Sequence, residues 1–259
     1  MAFKHITSRD NPIFKQLKKL ADSARERSRE NKTLLDGVHL IESYLQAFGE
    51  PLSLVIPEGK SSVEATALMQ QLEHVSTVML PTLMYAELTP VASSTGILAV
   101  IEIPQIASPE NPQFALMLEN IQDPGNLGSM LRTALGAGVE VVYCSKGCTD
   151  VWSPKALRGG QGAQFHLPVV ESADLPQTMQ NFSGNVFATT LDGDSLYSLD
   201  LTSATAFVIG NEGAGLQADT IAAATRKVSI PTDPRLESLN AATAAAICLF
   251  ERYRQVHTK

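Results

Sequence analysis

Two five-residue segments constrain the fold of this 259-residue chain more than any other feature. The segments FALML (114–118) and AFVIG (206–210) contain no polar side chain. Strands with one exposed face alternate between apolar and polar residues, whereas parallel strands covered by helices on both faces are apolar throughout. The second half of the chain is therefore predicted to form a parallel α/β sheet.

The spacing of apolar residues predicts strands and helices in alternation along most of the chain. After residue 113, strands are predicted at 114–118, 139–144, 164–170, 186–190, 206–209 and 227–230, with helices at 127–137, 175–181, 216–224 and 239–257. Before it, one helix is predicted from Asn11-Pro12 to about Arg29, followed by a small α/β pattern up to residue 103. The segment 104–112 contains three prolines. We therefore predict a domain at 1–104, a linker at 105–112 and a second domain at 113–259.

Composition disfavours several classes of protein. The chain is 44% hydrophobic and 18% charged, which is enough apolar residue for a core and argues against disorder. No apolar run is long enough to cross a bilayer, and the start MAFKHITSRD lacks an apolar secretory segment, so we expect a cytoplasmic protein. The three cysteines and five histidines have no spacing typical of a metal site, a disulfide framework or a catalytic triad.

A basic arm, residues 1–32, precedes an acidic remainder. The arm holds nine of the twenty Lys and Arg and carries a net charge of +5, against −12 for the rest of a chain whose total is −7. Such an arm is typical of contact with a nucleic-acid backbone. A solvated helix with internal ion pairs, for which Glu26 and Glu30 are suitable, fits the charges equally well. Charge alone leaves both interpretations open.

Three polar clusters follow predicted strands at turns into helices, where open α/β sheets place their ligands. They are ENIQDPGNLGSMLR (119–132), GNEGAGL (210–216) and IPTDPRLESLNAATAAAI (230–247). In the first, Asn126 and Arg132 are nearly two helical turns apart, so both face the same end of the sheet. In the third, Glu237, Ser238 and Asn240 exceed the one polar residue that a helix cap needs, which favours a site, while a helix cap alone stays as an alternative. The small side chains that follow allow another backbone to approach closely.

The second cluster also fits a different ligand. Residues 213–218 match the G-x-G-x-x-A form of the dinucleotide fingerprint, and Asp233 stands where a ribose-binding acid is expected. However, that fingerprint normally opens the first βαβ unit, whereas only one strand and one helix follow it here. Glu212 would also place a carboxylate beside the pyrophosphate. A nicotinamide-dependent oxidoreductase stays as an alternative.

The three clusters, in this order and spacing, resemble the motifs of the SpoU-type (TrmH-like) RNA 2′-O-ribose methyltransferases of the SPOUT superfamily. NIQDPGNLGSMLRTALGAGV (120–139), FVIGNEGAGL (207–216) and IPTDPRLESLNAATAAAI (230–247) carry the resemblance. Before the linker, ITSRDNPIFKQLKKL and LLDGVHLIESYL are similar to the RNA substrate-binding domain of many ribosomal-RNA members, a small α/β domain like a ribosomal protein. The resemblance implies a homodimer and a C-terminal trefoil knot in the parallel-sheet domain.

The resemblance also implies a role for each matching residue. The catalytic positions are Asn126, Arg132, Glu212, Ser238 and Asn240. Gly210, Ile230 and Leu239 are implied to bind S-adenosyl-L-methionine, with Thr189, Thr190 and Leu191 nearby. It also favours RNA contact by the basic arm, through Lys15, Lys18, Lys19, Arg25, Arg27 and Arg29. No metal and no membrane are implied.

The chemistry agrees with these residue types. A sulfonium donor without phosphate needs apolar walls and backbone groups, and in-line displacement depends on positioning. Because a guanidinium is effectively always protonated, we expect Arg132 to bind a phosphate while Asn126, Glu212, Ser238 or a phosphate oxygen takes the proton. We predict large-subunit (23S) ribosomal RNA as substrate, with transfer RNA or an inactive RNA-binding module as alternatives. Thr232 and Pro234 replace the Met and Gly of the usual I-P-M-x-G, so the cofactor loop is expected to differ.

Overall fold

The computed structural model describes residues 3–59, 61–89, 94–211 and 213–258, and it divides the chain into two compact units. The first unit comprises Met1–Gln105 with Trp152–Phe165, and the second comprises Ile106–Val151 with His166–Lys259. The predicted second domain was continuous from 113 to 259. The structure differs because a segment of that range, Trp152–Phe165, belongs to the first unit.

The first unit is a five-stranded mixed sheet with helices. Its elements are β1 (Phe3–His5), α1 (Pro12–Asp22), α2 (Ala24–Glu30), β2 (Lys32–Asp36), α3 (Val38–Phe48), β3 (Ser53–Pro57), α4 (Val63–Gln71), β4 (Thr77–Leu80), α5 (Thr82–Ala86) and β5 (Leu98–Glu102). The strand order is β1-β4-β3-β5-β2, in which β5 runs antiparallel to both neighbours and the other pairs are parallel. Two apolar cores contain the buried faces of its strands and helices.

The helix predicted from Pro12 to Arg29 is interrupted at Ser23. The backbone N–H of Ser23 ends α1 on the Lys19 carbonyl, and its side chain accepts a hydrogen bond from the N–H of Glu26 to begin α2. Serine favours this role because its short hydroxyl competes with the helix for local backbone groups. The basic arm therefore forms two short helices rather than one.

The second unit is a six-stranded sheet in which every pair is parallel. Its elements are β6 (Phe114–Leu118), α6 (Pro124–Gly136), β7 (Val141–Ser145), β8 (Val169–Ala173), α8 (Leu175–Asn181), β9 (Asn185–Ser195), β10 (Thr205–Ile209), α9 (Ala218–Ala223), β11 (Arg226–Ser229) and α10 (Ala241–His257). The strand order is β11-β9-β10-β6-β7-β8. Every residue of β6 and β10 is buried, which confirms the predicted parallel α/β fold. The trefoil knot stays a prediction.

Residues between β7 and β8 pack into the first unit because their apolar side chains are buried there. The helix α7 (Pro154–Gly160) and the 3-10 turn Ala163–Phe165 place Leu157 and Phe165 in the core around α3. The Phe165 ring meets Tyr44 edge-on at 5.6 Å between centroids, and the Thr33 hydroxyl donates to the Trp152 carbonyl at 2.7 Å. The strand predicted at 164–170 was therefore wrong at its start, because Gln161 and Gly162 adopt positive φ and turn the chain.

The start of α10 packs closely against its own unit. Ala241, Ala242 and Ala245 are buried, and α10 contacts both α6 and β10. Side chains of one carbon allow this approach, in agreement with the alanine run in the sequence. None of the helices in the described ranges is both long and apolar enough to span a membrane.

Candidate active site

Three loops leave the carboxyl edge of the parallel sheet of the second unit. The first loop, residues 119–123, joins β6 to α6; the second loop, residues 210–217, joins β10 to α9; and the third loop, residues 230–240, joins β11 to α10. Because β6 and β10 are adjacent and parallel, the first two loops leave the same edge side by side. The second and third loops contain six of the eleven residues that the sequence predicted for catalysis and cofactor binding.

Asn126 lies in the first turn of α6. Asp123 caps this helix by accepting a hydrogen bond from the Asn126 N–H at 2.8 Å, and Pro124 occupies the first helical position. Proline suits that position because its missing N–H would be unpaired there anyway. The sequence D-P-G-N thus begins the helix and places the Asn126 amide at its amino-terminal end.

Asn240 connects the third loop to Asn126. As the cap of α10, its Oδ1 accepts hydrogen bonds from the N–H groups of Ala242 at 2.9 Å and Thr243 at 3.2 Å. Its Nδ2 donates to Asn126 Oδ1 at 3.2 Å. The structure therefore brings together two predicted catalytic residues through one side chain that both begins α10 and joins the third loop to the first turn of α6.

The other predicted catalytic residues do not share this contact. Arg132 lies further along α6 with an exposed side chain, and its guanidinium makes no hydrogen bond or ion pair with any described residue. Ser238 is exposed in the third loop and likewise has no hydrogen-bond partner among the described residues. Glu212 lies outside the described residues. An exposed, unpaired guanidinium is suited to bind an anion.

The second loop folds back on itself. The Gly215 N–H donates to the Asn211 carbonyl at 2.9 Å, and the N–H groups of Gly213 and Ala214 donate to Asn211 Oδ1 at 2.9 and 3.0 Å. A Cβ at Gly210 would lie 2.5 Å from the Gly215 carbonyl carbon, so the loop closes only with glycine there. The N–H groups that a dinucleotide loop would offer to a pyrophosphate are thus already bonded internally, which argues against the oxidoreductase alternative.

The predicted cofactor residues of β9 form a bulge against β11. Pairing between these strands joins Ala188 to Lys227 and resumes only at Asp194 with Val228, which leaves residues 189–193 unpaired with β11. Thr189 Oγ1 donates to the Val208 carbonyl at 2.7 Å, which holds the bulge to β10. Thr190 is half-buried, and Leu191 is 80% exposed at the end of the bulge.

The chemistry of this edge fits S-adenosyl-L-methionine. Ile230 and Leu239 are half-buried apolar residues beside open solvent. Within the third loop, as far as the structure describes it, one backbone–backbone hydrogen bond forms, from the Leu236 N–H to the Asp233 carbonyl at 2.9 Å. Apolar side chains with open backbone groups suit a ligand that contains an adenine and a sulfonium and no phosphate.

The third loop, in which Thr232 and Pro234 replace the usual Met and Gly, contains an ion pair around Pro234. Asp233 and Arg235 form a bidentate ion pair, with Nε to Oδ1 and Nη2 to Oδ2 both at 2.9 Å, on either side of Pro234. The Arg235 guanidinium lowers the pKa of the Asp233 carboxyl. This pair neutralises the one basic residue of the loop, so the loop offers no free positive charge.

At least three of the six residues predicted to contact RNA are ion-paired, and the prediction for another, Arg27, is wrong. Arg27 is only 4% exposed and donates from Nη1 to the carbonyls of Leu20 at 2.6 Å and Ala21 at 3.1 Å. It therefore satisfies the last carbonyls of α1 and serves the fold. Ion pairs join Lys15 to Asp10, Lys18 to Asp22, and Arg29 to Glu26 and Glu30.

Lys19 and Arg25 are exposed and make no hydrogen bond or ion pair with the described residues. Lys15, Lys19 and Arg29 line one open groove of about 460 Å³ between α1 and α2, together with the acids Asp10, Glu26 and Glu30. The acids cancel much of the positive potential of the groove. Lys19 and Arg25 are thus the predicted RNA contacts whose charge is free for phosphate.

Glu119 was missed as a candidate from the sequence. It is 4% exposed at the end of β6, and its carboxylate accepts hydrogen bonds from the N–H of Gln217 at 2.7 Å and from the Thr220 hydroxyl. The available signal was an acidic residue directly after a strand that is apolar throughout. Among the described residues, no group of three or more His, Cys, Asp or Glu side chains is arranged to hold a metal ion.

The fold and its three loops define a parallel α/β protein with a candidate ligand site at the carboxyl edge of its sheet. The sequence pattern of the SpoU rRNA methylase family matches residues 113–250. An uncharacterised tRNA/rRNA methyltransferase of Synechocystis sp. is 34% identical, over 96% of this chain and 93% of its own. The 23S rRNA (guanosine(2553)-2′-O)-methyltransferase RlmP of Bacillus subtilis is 31% identical, over 95% and 98%.

A solved structure shows the same fold. The SpoU methyltransferase AviRb from Streptomyces viridochromogenes, in complex with the cofactor AdoMet, superposes with a TM-score of 0.83 at 28% identity, over 96% of this chain and 99% of its own. The chain belongs to the SpoU rRNA methylase family of RNA methyltransferases. The resemblance found in the three sequence motifs is thereby confirmed.

Proposed function

We propose that this protein methylates the 2′-hydroxyl of a ribose in large-subunit (23S) ribosomal RNA, with S-adenosyl-L-methionine as the methyl donor. The hydrogen bond between Asn240 and Asn126 carries the proposal, because it joins the third loop to the first turn of α6 at the carboxyl edge of the sheet. The relative from Bacillus subtilis, similar over nearly the whole of both chains, supports the ribose position and the ribosomal substrate.

The donor, when bound, supplies an electrophilic methyl group on a sulfonium. The ribose oxygen forms the new O–C bond as the S–C bond breaks, S-adenosylhomocysteine leaves, and the hydroxyl proton must pass to a base. Arg132 binds a phosphate next to the reacting ribose, because its exposed guanidinium has no partner among the described residues.

The asparagine pair holds the site in position and takes no proton. The Asn240 carbonyl oxygen already accepts two helix N–H groups, and the Asn126 carbonyl oxygen accepts from Asn240. A neutral amide is also a very weak base. The proton therefore passes to Glu212, to Ser238 or to a phosphate oxygen of the RNA, which removes Asn126 from the acceptors that the sequence suggested.

RNA binding by the first unit depends on Lys19 and Arg25. Their exposed charges are free of ion pairs within the described part of the basic arm, and each is suited to one phosphate contact. Ribosomal RNA, with its extended structured segments, offers phosphates at a distance from the methylated ribose. The cytoplasm as the place of action stays a prediction.

We propose that two copies of the chain form a homodimer through α10. On this helix Phe250 is 47% exposed, and Tyr253 and Val256 are each 37% exposed. The Phe250 and Tyr253 rings lie 5.8 Å apart between centroids and form one apolar surface. A second copy would bury this surface, in agreement with the dimer that the family resemblance implies.

Calorimetric titration with S-adenosylhomocysteine, with NADH as control, tests the cofactor. Methylation of 23S ribosomal RNA and of total transfer RNA, each unmodified, then tests the substrate, with the site located by protection of the 2′-O-methylated ribose from alkaline cleavage. We expect binding of S-adenosylhomocysteine alone and methylation of ribosomal RNA alone. Binding without methylation of either RNA would support an inactive RNA-binding module, and binding of NADH alone would contradict the proposal.

A further inference from the structure

The second loop is attached to the end of β6 at two separate points. At its start, Asn211 Nδ2 donates to the Asn120 carbonyl at 3.0 Å. At its end, the Gln217 N–H donates to Glu119 Oε2 at 2.7 Å. Asn120 adopts a positive φ of 56°, and its carbonyl faces the loop while its N–H donates to Ser145 Oγ at 3.0 Å. Consecutive residues of one strand end thus hold both ends of the neighbouring loop.

The Glu119 contact extends beyond the loop into α9. The Thr220 hydroxyl donates to Glu119 Oε1, and both residues are buried, at 1% and 4% exposure. Gln217, which precedes the first residue of α9, has no side-chain cap of its own. The Glu119 carboxylate therefore takes the place of a local cap and joins α9, the second loop and β6.

A buried carboxylate costs desolvation free energy, and a neutral side chain could make a purely structural contact at a lower cost. No described lysine or arginine forms an ion pair with Glu119, so its partners are one backbone N–H and one hydroxyl. Burial of such a group without a counter-ion costs free energy, which its hydrogen bonds only partly offset. Glu119 contacts the end of the second loop, which contains the predicted cofactor residue Gly210. This position indicates that the contact fixes the shape of the loop.

We propose that Glu119 is a positioning residue that holds the second loop in the shape needed to bind the methyl donor. The loop closes tightly at Gly210, where a Cβ would lie 2.6 Å from the Gly215 oxygen, so a small displacement at Gln217 is transmitted to the Gly210 backbone. Glu119 acts through this backbone and does not touch the donor. That the loop binds the methyl donor rests on the proposed function, whereas the hydrogen bonds between Glu119 and the loop are seen in the structure.

Three variants separate positioning from stability. Glu119→Ala leaves the Gln217 N–H and the Thr220 hydroxyl without a partner. Glu119→Gln keeps both contacts, because its carbonyl accepts from Gln217 while its amide donates to the Thr220 oxygen. Glu251→Ala is the matched control, since it removes another nearly buried carboxylate, 8% exposed, whose partners Arg254 and Gln255 lie near the far end of α10.

The first measurement is amide hydrogen exchange in the ligand-free protein. For Glu119→Ala we expect exchange at residues 211–217 to accelerate about tenfold or more, as expected for the loss of a buried hydrogen-bond acceptor. Glu119→Gln and the Glu251→Ala control should leave this loop close to wild type. Unchanged exchange at 211–217 in Glu119→Ala would overturn the proposal, whether or not the protein binds a methyl donor.

The second measurement is the affinity for S-adenosylhomocysteine by calorimetry. We expect a Kd about tenfold higher for Glu119→Ala and within about threefold of wild type for Glu119→Gln. For Glu251→Ala we expect an unchanged Kd, although its Tm should fall about as much as that of Glu119→Ala. An unchanged Kd in Glu119→Ala, or an equal rise in Glu251→Ala, would overturn the positioning role. If wild type itself did not bind, the proposed function would fail and the exchange result alone would decide the attachment.

A milder variant covers the case in which Glu119→Ala does not fold. Thr220→Val keeps the volume of the side chain and removes one of the two donors to Glu119. We expect a smaller change in the same direction, about twofold to fivefold in loop exchange and in Kd. No change in either quantity, with Glu119→Ala unfolded, would count against the proposal.

Discussion

Asn240 Nδ2 donates a hydrogen bond to Asn126 Oδ1 at 3.2 Å, although the two residues are 114 positions apart in the chain. The same Asn240 side chain caps α10 through its oxygen. The two ends of this amide thus have different roles, because the oxygen begins α10 and the nitrogen joins the third loop to the first turn of α6. This division allows the two roles to be separated by substitution.

Asn240→Asp should retain stability and lose activity. A carboxylate oxygen accepts the helix N–H groups as well as an amide does, so we expect the Tm to stay close to wild type. Its second oxygen cannot donate to Asn126 Oδ1, so methylation should fall at least about tenfold. Asn240→Ala, the control, should lose about 1 kcal/mol of stability as well. An Asn240→Asp protein with full activity would show that the contact is dispensable.

Arg132→Ala should abolish most methylation without a change in stability. The exposed side chain has no partner among the described residues, so the free energy of unfolding should change by less than about 0.5 kcal/mol. Loss of a phosphate contact in the transition state should lower kcat/KM for RNA about 100-fold.

Arg132→Lys, which keeps the charge but loses the planar fork, should be intermediate. The affinity for S-adenosylhomocysteine should not change in either Arg132 variant, because the residue is assigned to the RNA. Undiminished methylation by Arg132→Ala would remove this residue from the mechanism.

Arg27→Ala and Arg25→Ala should affect different properties: the first should lower stability, and the second should weaken RNA binding. Arg27 is buried with its guanidinium on the carbonyls at the end of α1, so its removal should cost about 1–3 kcal/mol. Arg25 is exposed and unpaired among the described residues, so its removal should leave the Tm unchanged. RNA affinity measured against salt should show a slope smaller by about one for Arg25→Ala. Equal salt slopes for Arg25→Ala and wild type would mean that Arg25 contacts no phosphate.

The free energy of unfolding should decrease at acidic pH, in part because the Glu251 carboxylate becomes protonated. Hydrogen bonds from Arg254, with a contribution from Gln255, lower the pKa of the Glu251 carboxyl below its ordinary value of 4.5. A lowered folded-state pKa means stability that is fully present above the ordinary value and is lost as the pH falls through the lowered one. Glu251→Gln should be less stable by about 1 kcal/mol at pH 7 and should lose less stability as the pH falls below the ordinary carboxyl pKa of 4.5. Parallel acid unfolding curves for both proteins would show that this group contributes nothing.

Much of the second unit could be predicted from local sequence. The apolar segment 114–118 predicted a strand covered on both faces, and the structure buries all five residues. The three polar clusters follow β6, β10 and β11 as expected, because parallel strands bring their carboxyl ends to one edge. The cap at Asn240 also followed from residue type, since a helix start needs a side-chain acceptor within three residues.

Other features depended on contacts that no local pattern contains. The charge of Arg27 placed it with the RNA contacts, yet its guanidinium is buried on carbonyls six and seven residues earlier. The segment Trp152–Phe165 follows a strand of the second unit and packs in the first. In both cases the outcome depended on which partners lay within reach after folding.

The sequence by itself determined the parallel α/β class, the three motifs and most of the residues at the carboxyl edge, because these follow from residue period and turn chemistry. Only the tertiary structure decided that Asn126 meets Asn240 and that Glu119 holds the second loop. Each of these contacts joins residues about 100 positions apart, at a separation where geometry is set by the packing of whole strands and helices. The sequence therefore identifies the polar side chains of the site, and the packing of strands and helices determines which of them form hydrogen bonds with one another.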